Sequence, residues 1–211
     1  MDIYTDHSIG LRPAEKIWSN YIPELFALTV GRNRPEAVTV NITDQCNQKC
    51  IYCEIGRGIG TYSNERLTLI DLKWLIDEMS YMKIRRLALC GGEPFLFQDL
   101  MKVVEYAASK NITCSITTNG FSLGSLSSRD MELLRVSKTR INISVDSLDE
   151  KIYSTTRGVP FKVQNLIESV KALSRNHIPV TFLCVISRFN VHRLYEYLVQ
   201  SYQCGVKQVL F

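Results

Sequence analysis

Hydrophobic and polar residues follow two different periods along this chain, and the periods take turns. Short runs rich in β-branched residues recur at 38–43 (VTVNIT), 85–90 (RRLALC), 112–118 (ITCSITT), 140–146 (RINISVD), 179–186 (PVTFLCVI) and 206–211 (VKQVLF). Between them lie segments of helical periodicity at 68–82, 97–110, 128–137, 160–176 and 190–203. The clearest is 68–82, where Thr68 is placed to cap and Leu69, Leu72, Leu75, Ile76, Met79 and Met82 share one face. Strands separated by stretches long enough for a helix predict βα units, a parallel sheet and right-handed crossovers.

Such a sheet either winds doubly or curls into a barrel, and side-chain polarity bears on the choice. A parallel strand buried on both faces is apolar throughout. Here the fourth strand sets Ile141, Ile143 and Val145 against Asn142, Ser144 and Asp146. The first sets Val38, Val40 and Ile42 against Thr39, Asn41 and Thr43, and in the third Ser115, Thr117 and Asn119 share a face. One apolar face under helices and one polar face describe a curved sheet whose concave side holds a polar ligand. The alternative is a polar face left to solvent. The elements stop at a sixth strand, so either the protein is short or its C-terminal part lies beyond residue 211.

Composition narrows the class. The chain has 211 residues, 45% hydrophobic and 22% charged, with a net charge of +4. That length suits one core domain, read as 37–211, with an N-terminal helical extension over 1–36. Within the extension, Pro13 to Leu28 carries Ile17, Trp18, Tyr21, Ile22, Leu25 and Phe26, an aromatic amphipathic segment that would pack on the sheet rim or, in the alternative, lie on a membrane. Nucleic acid is a poor partner because no long basic tract is present; the run Lys83-Ile84-Arg85-Arg86 reads as a solvated helix end. A membrane is a poor partner too, since no apolar stretch approaches the roughly 18 residues that span a bilayer. Seven cysteines without a visible export signal place the protein in the cytoplasm, where clustered thiols mean metal or redox work.

Three of those cysteines, Cys46, Cys50 and Cys53, fall in eight residues as "CNQKCIYC". A structural zinc site needs a fourth ligand, and none is near: His7, His177 and His192 are isolated, and a remote cysteine would have to serve. Cys90, Cys114, Cys184 and Cys204 sit alone in apolar surroundings and read as small core residues. Three thiolates suit a four-iron cluster with one iron left open, in a loop that follows the first strand at the mouth where βα loops build sites.

"CNQKCIYC" resembles the signature of the radical S-adenosylmethionine (radical SAM) superfamily, C-x3-C-x2-C with an aromatic residue before the last cysteine. The similarity continues in "CGGEP" at 90–94, "TTNG" at 117–120, "ISVDS" at 143–147 and "TTRG" at 155–158. The branch that it resembles builds molybdenum cofactor or matures peptides. The resemblance implies a partial (β/α)6 barrel, an α/β fold of parallel curved sheet and outer helices. It implies that Cys46, Cys50 and Cys53 bind a [4Fe-4S] cluster whose fourth iron chelates S-adenosylmethionine. The backbone of Gly91, Gly92, Glu93 and Pro94 would meet the methionine amino group, and Tyr52 would lie near the adenine. Ser144, Asp146 and Asn119 would face ribose or methionine, and Arg157 the methionine carboxylate. It implies reductive cleavage to a 5′-deoxyadenosyl radical that takes hydrogen from a peptide or small molecule, with an electron from a donor such as flavodoxin or ferredoxin. Glu54 and Arg57 are candidate substrate contacts or plain loop residues. A non-catalytic cluster-binding scaffold is the alternative function.

Overall fold

The structure, a computed structural model, describes residues 35–59 and 66–211. Among these residues six strands form one sheet: β1 (Ala37–Asn41), β2 (Arg86–Cys90), β3 (Thr113–Thr118), β4 (Arg140–Ser144), β5 (Val180–Leu183) and β6 (Gln208–Leu210). Every neighbouring pair is parallel and the spatial order is the chain order. A doubly wound sheet reverses its order at a switch point; this one never does. Crossovers that all step the same way and share one hand put their helices on one face, which is the partial-barrel arrangement.

Among the described residues seven helices accompany the sheet: α1 (Glu54–Arg57), α2 (Leu69–Tyr81), α3 (Leu100–Ser109), α4 (Ser128–Val136), α5 (Glu150–Arg157), α6 (Val163–Arg175) and α7 (Leu194–Gln203). Thr68 caps α2 in a capping box with Asp71, and Ser127 does the same for α4 with Asp130. The core lies between sheet and helices, where Leu87, Leu89, Ile116, Ile141, Ile143 and Phe182 are fully buried. On the opposite face Thr39, Asn41, Ser115, Thr117, Asn142 and Ser144 are half-buried or exposed, as the alternation predicts. The same parity corrects the expectation for Cys90. Leu87 and Leu89 point to the helices, so Cys90 falls on the polar face beside Asn41 and is only half-buried. Cys114, Cys184 and Cys204 are in the core.

A repeat invisible in residue identities recurs at the bottom of the sheet. Five helices end in one left-handed residue followed by a buried or mostly buried one: Lys83-Ile84, Asn111-Ile112, Lys138-Thr139, His177-Ile178 and Gly205-Val206. In each pair the second N–H reaches back to a carbonyl five residues earlier, as from Ile84 to Met79 and from Ile178 to Leu173. The first N–H reaches back three, as from Lys83 to Ser80. This is the Schellman cap with its apolar anchor. It explains His177 as a cap residue. The basic run after α2 is likewise spent on this turn, with Arg85 donating to the Lys110 carbonyl and Arg86 paired with Glu36.

Strand–helix periodicity did not predict α1, where Glu54 and Arg57 read as substrate contacts or loop residues, nor helix α5. Asp149 caps it by accepting from the N–H groups of Lys151 and Ile152, and Gly158 closes it at φ +70°. The expected N-terminal extension falls almost wholly on 1–34 and lies outside the described residues. No helix among the described residues is long and apolar enough to cross a membrane.

Candidate active site

The cysteine loop leaves the C-terminal end of β1 and is clamped from two sides by backbone hydrogen bonds. On one side the Gly92 and Glu93 N–H groups donate to the carbonyls of Thr43 and Gln45, both at 2.7 Å. On the other, the Lys49 and Ile51 N–H groups donate to the carbonyls of Arg157 and Thr156 at the end of α5, both at 3.0 Å. Both clamps need glycine. A Cβ on Gly92 would stand 2.1 Å from the Gln45 carbonyl oxygen, and one on Gly158 would stand 2.2 Å from that of Lys49. With the Gly92 and Glu93 N–H groups committed to the loop, this turn offers a ligand its carbonyl oxygens, which suit an ammonium group.

Side chains extend the first clamp. Glu93 is fully buried; it accepts from the Thr118 hydroxyl (2.7 Å), the Asn119 N–H (2.7 Å) and the Phe95 N–H (3.1 Å). Burial holds its carboxyl above the usual carboxylate range, and these three hydrogen bonds oppose the shift. Its side chain thus ties the glycine turn to the end of β3, while Pro94 is buried at the start of a 3-10 turn. Asn119 in turn donates from Nδ2 to Asn47 Oδ1 at 2.7 Å and approaches Cys46 Sγ at 4.0 Å. A second buried bridge was not foreseen at all. Tyr153, fully buried on α5, donates to the Asn119 carbonyl at 3.3 Å and accepts from Gln48 Nε2 at 2.9 Å. The signal that could have found it is the cap pattern of Asp149 and Gly158, which brackets a helix carrying Tyr153 and Arg157 four apart on one face.

Tyr52, Asp146 and Arg157, assigned separately to a cofactor by resemblance, bond to one another here. Asp146 is 1% exposed and Arg157 is 4% exposed. The Tyr52 hydroxyl donates to Asp146 Oδ2, and the Val185 N–H donates to Oδ1 at 3.0 Å. Arg157 Nη2 stands 2.8 Å from Asp146 Oδ1 at an angle that makes an ion pair but not a well-directed hydrogen bond, and Nε is also without one. The guanidinium lies 5.6 Å from the centre of the Tyr52 ring, and its Nη1 donates to Cys50 Sγ at 3.8 Å. Burial works against the Arg157 charge, yet Asp146, Tyr52 and Cys50 hold its pKa above the ordinary value.

The three thiols are brought to one loop, with Cys50 buried and Cys46 and Cys53 half-buried. Burial raises the Cys46 thiol against a hydrogen bond from the Gln48 N–H, and it raises Cys50 against the pull of Arg157. Among the described residues no three Cys, His, Asp or Glu side chains converge as they would on one ion. The donor set, all sulfur with a buried guanidinium beside it, fits an iron–sulfur cluster.

The remaining expected residues lie around this centre. Ser144 is half-buried at the last position of β4, on the polar face and two residues before Asp146. Glu54 and Arg57 are exposed on α1. A cavity of about 570 Å³ lies along the flank of the cysteine loop, lined by Asn41, Gln45, Ile55, Leu69, Phe97 and Asp99 but by none of the three cysteines.

Comparison with known proteins now bears on this arrangement. The model of the Radical SAM superfamily matches residues 40–198. The chain belongs to the radical SAM superfamily. It is 31% identical over 180 residues to GTP 3′,8-cyclase of Syntrophomonas wolfei, covering 82% of this chain and 54% of that protein. It is 26% identical over 165 residues to the probable GTP 3′,8-cyclase of Thermococcus kodakarensis, covering 77% of this chain and 52% of that protein. This radical SAM chain therefore spans about half the length of these curated relatives. Its fold superposes on SuiB of Streptococcus suis bound to S-adenosylmethionine with a TM-score of 0.71 at 18% identity, covering 83% of this chain and 40% of SuiB.

Proposed function

We propose that this chain holds a [4Fe-4S] cluster on Cys46, Cys50 and Cys53 and binds S-adenosylmethionine at the open iron, as a radical SAM enzyme acting on a peptide or a small molecule. The observation that carries this reading is the double clamp, which sets three thiols of one loop between the Gly91–Pro94 turn and the end of α5. Once bound, the cluster would supply an electron to the sulfonium, giving the 5′-deoxyadenosyl radical that takes hydrogen from substrate.

The chain's own residues bind and orient. Carbonyls of the Gly91–Pro94 turn would accept the methionine ammonium, and Ser144 and the half-buried rim of the polar face would meet ribose or methionine hydroxyl and carboxylate groups. Asn119, whose side chain is committed to Asn47, would contribute by holding the loop edge. Tyr52 would offer the adenine its exposed ring while its hydroxyl stays on Asp146. Asp146 and Arg157 are nearly fully buried and paired with each other, and in this reading they would support the loop beside the cofactor.

Support for substrate class comes from two directions. The curated relatives are GTP 3′,8-cyclases, and SuiB has been solved bound to the precursor peptide SuiA. A one-electron donor such as flavodoxin or ferredoxin would supply reducing equivalents. Anaerobic reconstitution tests the reading: about four irons and four sulfides per chain are expected, with 5′-deoxyadenosine released on adding S-adenosylmethionine and dithionite. Stoichiometric zinc in place of iron and sulfide would overturn it. Cluster uptake without any 5′-deoxyadenosine, with guanosine triphosphate and peptide substrates both supplied, would favour a scaffold.

A further inference from the structure

We infer that Asp146 and Tyr52 are positioning residues that act through Arg157 on Cys50, and that this buried group sets the reduction potential of the cluster. The inference rests on the reading of Cys50 as a cluster ligand and adds to it a function for the bonds that Asp146, Tyr52 and Arg157 make with one another.

The geometry is that of a field device. Arg157 places a positive charge 3.8 Å from Cys50 Sγ, across 107 residues of sequence. It is not aimed at open space. Its Nε and Nη2 are fully enclosed, and among the described residues they are the buried side-chain atoms left without a hydrogen bond. The atom that reaches the loop is Nη1, on Cys50 Sγ, so the charge is felt at that thiol. Asp146 opposes that charge from 2.8 Å, and its own charge is spread by the Tyr52 hydroxyl and the Val185 N–H. In a site nearly free of water such charges are weakly screened. Hydrogen bonds to the sulfurs, net charge and solvent exposure are what tune iron–sulfur potentials.

The sign of each effect follows. Reduction adds one electron and therefore one negative charge to the cluster, with no proton required. A nearby positive charge favours the reduced form and raises the potential; a nearby negative charge lowers it. Arg157→Gln removes the positive charge and should shift the potential downward. Asp146→Asn removes the opposing charge and should shift it upward. Tyr52→Phe removes one hydrogen bond from Asp146, concentrates its charge, and should give a smaller downward shift. Arg157→Lys keeps the charge and should stay nearer to the parent than Arg157→Gln.

The experiment is a redox titration of the reconstituted chain with dithionite, followed by electron paramagnetic resonance, without S-adenosylmethionine so that no ligand carboxylate enters. Opposite shifts for Arg157→Gln and Asp146→Asn are the expected result. A purely packing role would lower cluster content in both without opposite shifts, and equal or absent shifts would overturn the inference. If Arg157→Gln takes up no cluster, Asp146→Asn decides: a downward or absent shift sinks the idea. If the unsubstituted chain takes up no iron and sulfide, the underlying cluster reading falls, and this inference with it.

Discussion

Gly92 and Gln45 are in backbone contact: the Gln45 carbonyl oxygen occupies the space, 2.1 Å away, where any Cβ at position 92 would have to stand. The glycine turn and the cysteine loop are therefore one unit. A side chain at 92 must push the loop away and break the neighbouring 2.7 Å bond from Glu93 to Gln45. We expect Gly92→Ala to cost about 1–3 kcal/mol by overpacking and to cut reconstituted iron and sulfide sharply. Gly158→Ala, which meets the Lys49 carbonyl from the other side, should do the same. Metal analysis and thermal melting of both variants check this; full cluster content in both would argue that the clamps are incidental.

Glu93→Gln tests the side-chain half of the same clamp. The carboxylate receives three hydrogen bonds with no exposure, and an amide nitrogen would face at least one of those donors with another donor. A loss of about 1.5–3 kcal/mol is expected in urea unfolding. Glu93→Asp should not rescue it, because the shorter chain withdraws from Thr118 and Asn119.

Buried thiols give the chain an alkaline weakness. Burial pushes Cys114 up to about 12, and Cys184 up to about 11 with a further contribution from Asp146. In the unfolded chain a thiol ionises near about 8.5. Below that value the proton is bound in both states and costs nothing; above it only the unfolded state releases the proton. Stability should therefore fall by about 1.4 kcal/mol per pH unit per thiol between about 8.5 and the folded values. Unfolding midpoints at pH 7.5 and 10, compared between the parent and Cys114→Val, isolate one thiol; an unchanged slope would count against a buried Cys114.

Lys138 holds a left-handed conformation at φ 56° at the end of α4, as Gly205 does with φ 92° at the end of α7. A side chain in that region costs roughly 1–2 kcal/mol, partly offset by the freedom glycine gains when unfolded. Lys138→Gly should raise stability by about 0.5–1 kcal/mol in denaturant unfolding, with no change in cluster content.

What could be read in the sequence and what could not divide along a physical line. The strands, five of the helices and the polar face follow from periods of 2 and 3.6, because burial on one face is a local constraint on neighbouring positions. The cysteine spacing is local too, and so is the cap that starts α2. Helix α5 is hard to read in the sequence because its eight residues are short and mostly polar, with Ile152 and Tyr153 its large apolar side chains, and its caps are what announce it. Cys90 sits in a run of apolar residues that suggests the core, but its parity, opposite to that of Leu87 and Leu89, puts it on the polar face.

Partnerships across the fold had no local mark. Tyr52 meets Asp146 across 94 residues, and Arg157 meets Cys50 across 107. Each of these residues, read alone, is a polar side chain near a motif and free to face a ligand. Whether it faces a ligand or another side chain depends on how the loops at the mouth of the sheet pack, which the strand order and helix α5 settle together. The sequence by itself determined that three thiols, a glycine turn and a parallel sheet belong to one site. Only the packing of the loops brings Asp146, Tyr52 and Arg157 into contact with one another. A buried charge must find its opposite wherever the fold brings one, and sequence distance does not enter that energy.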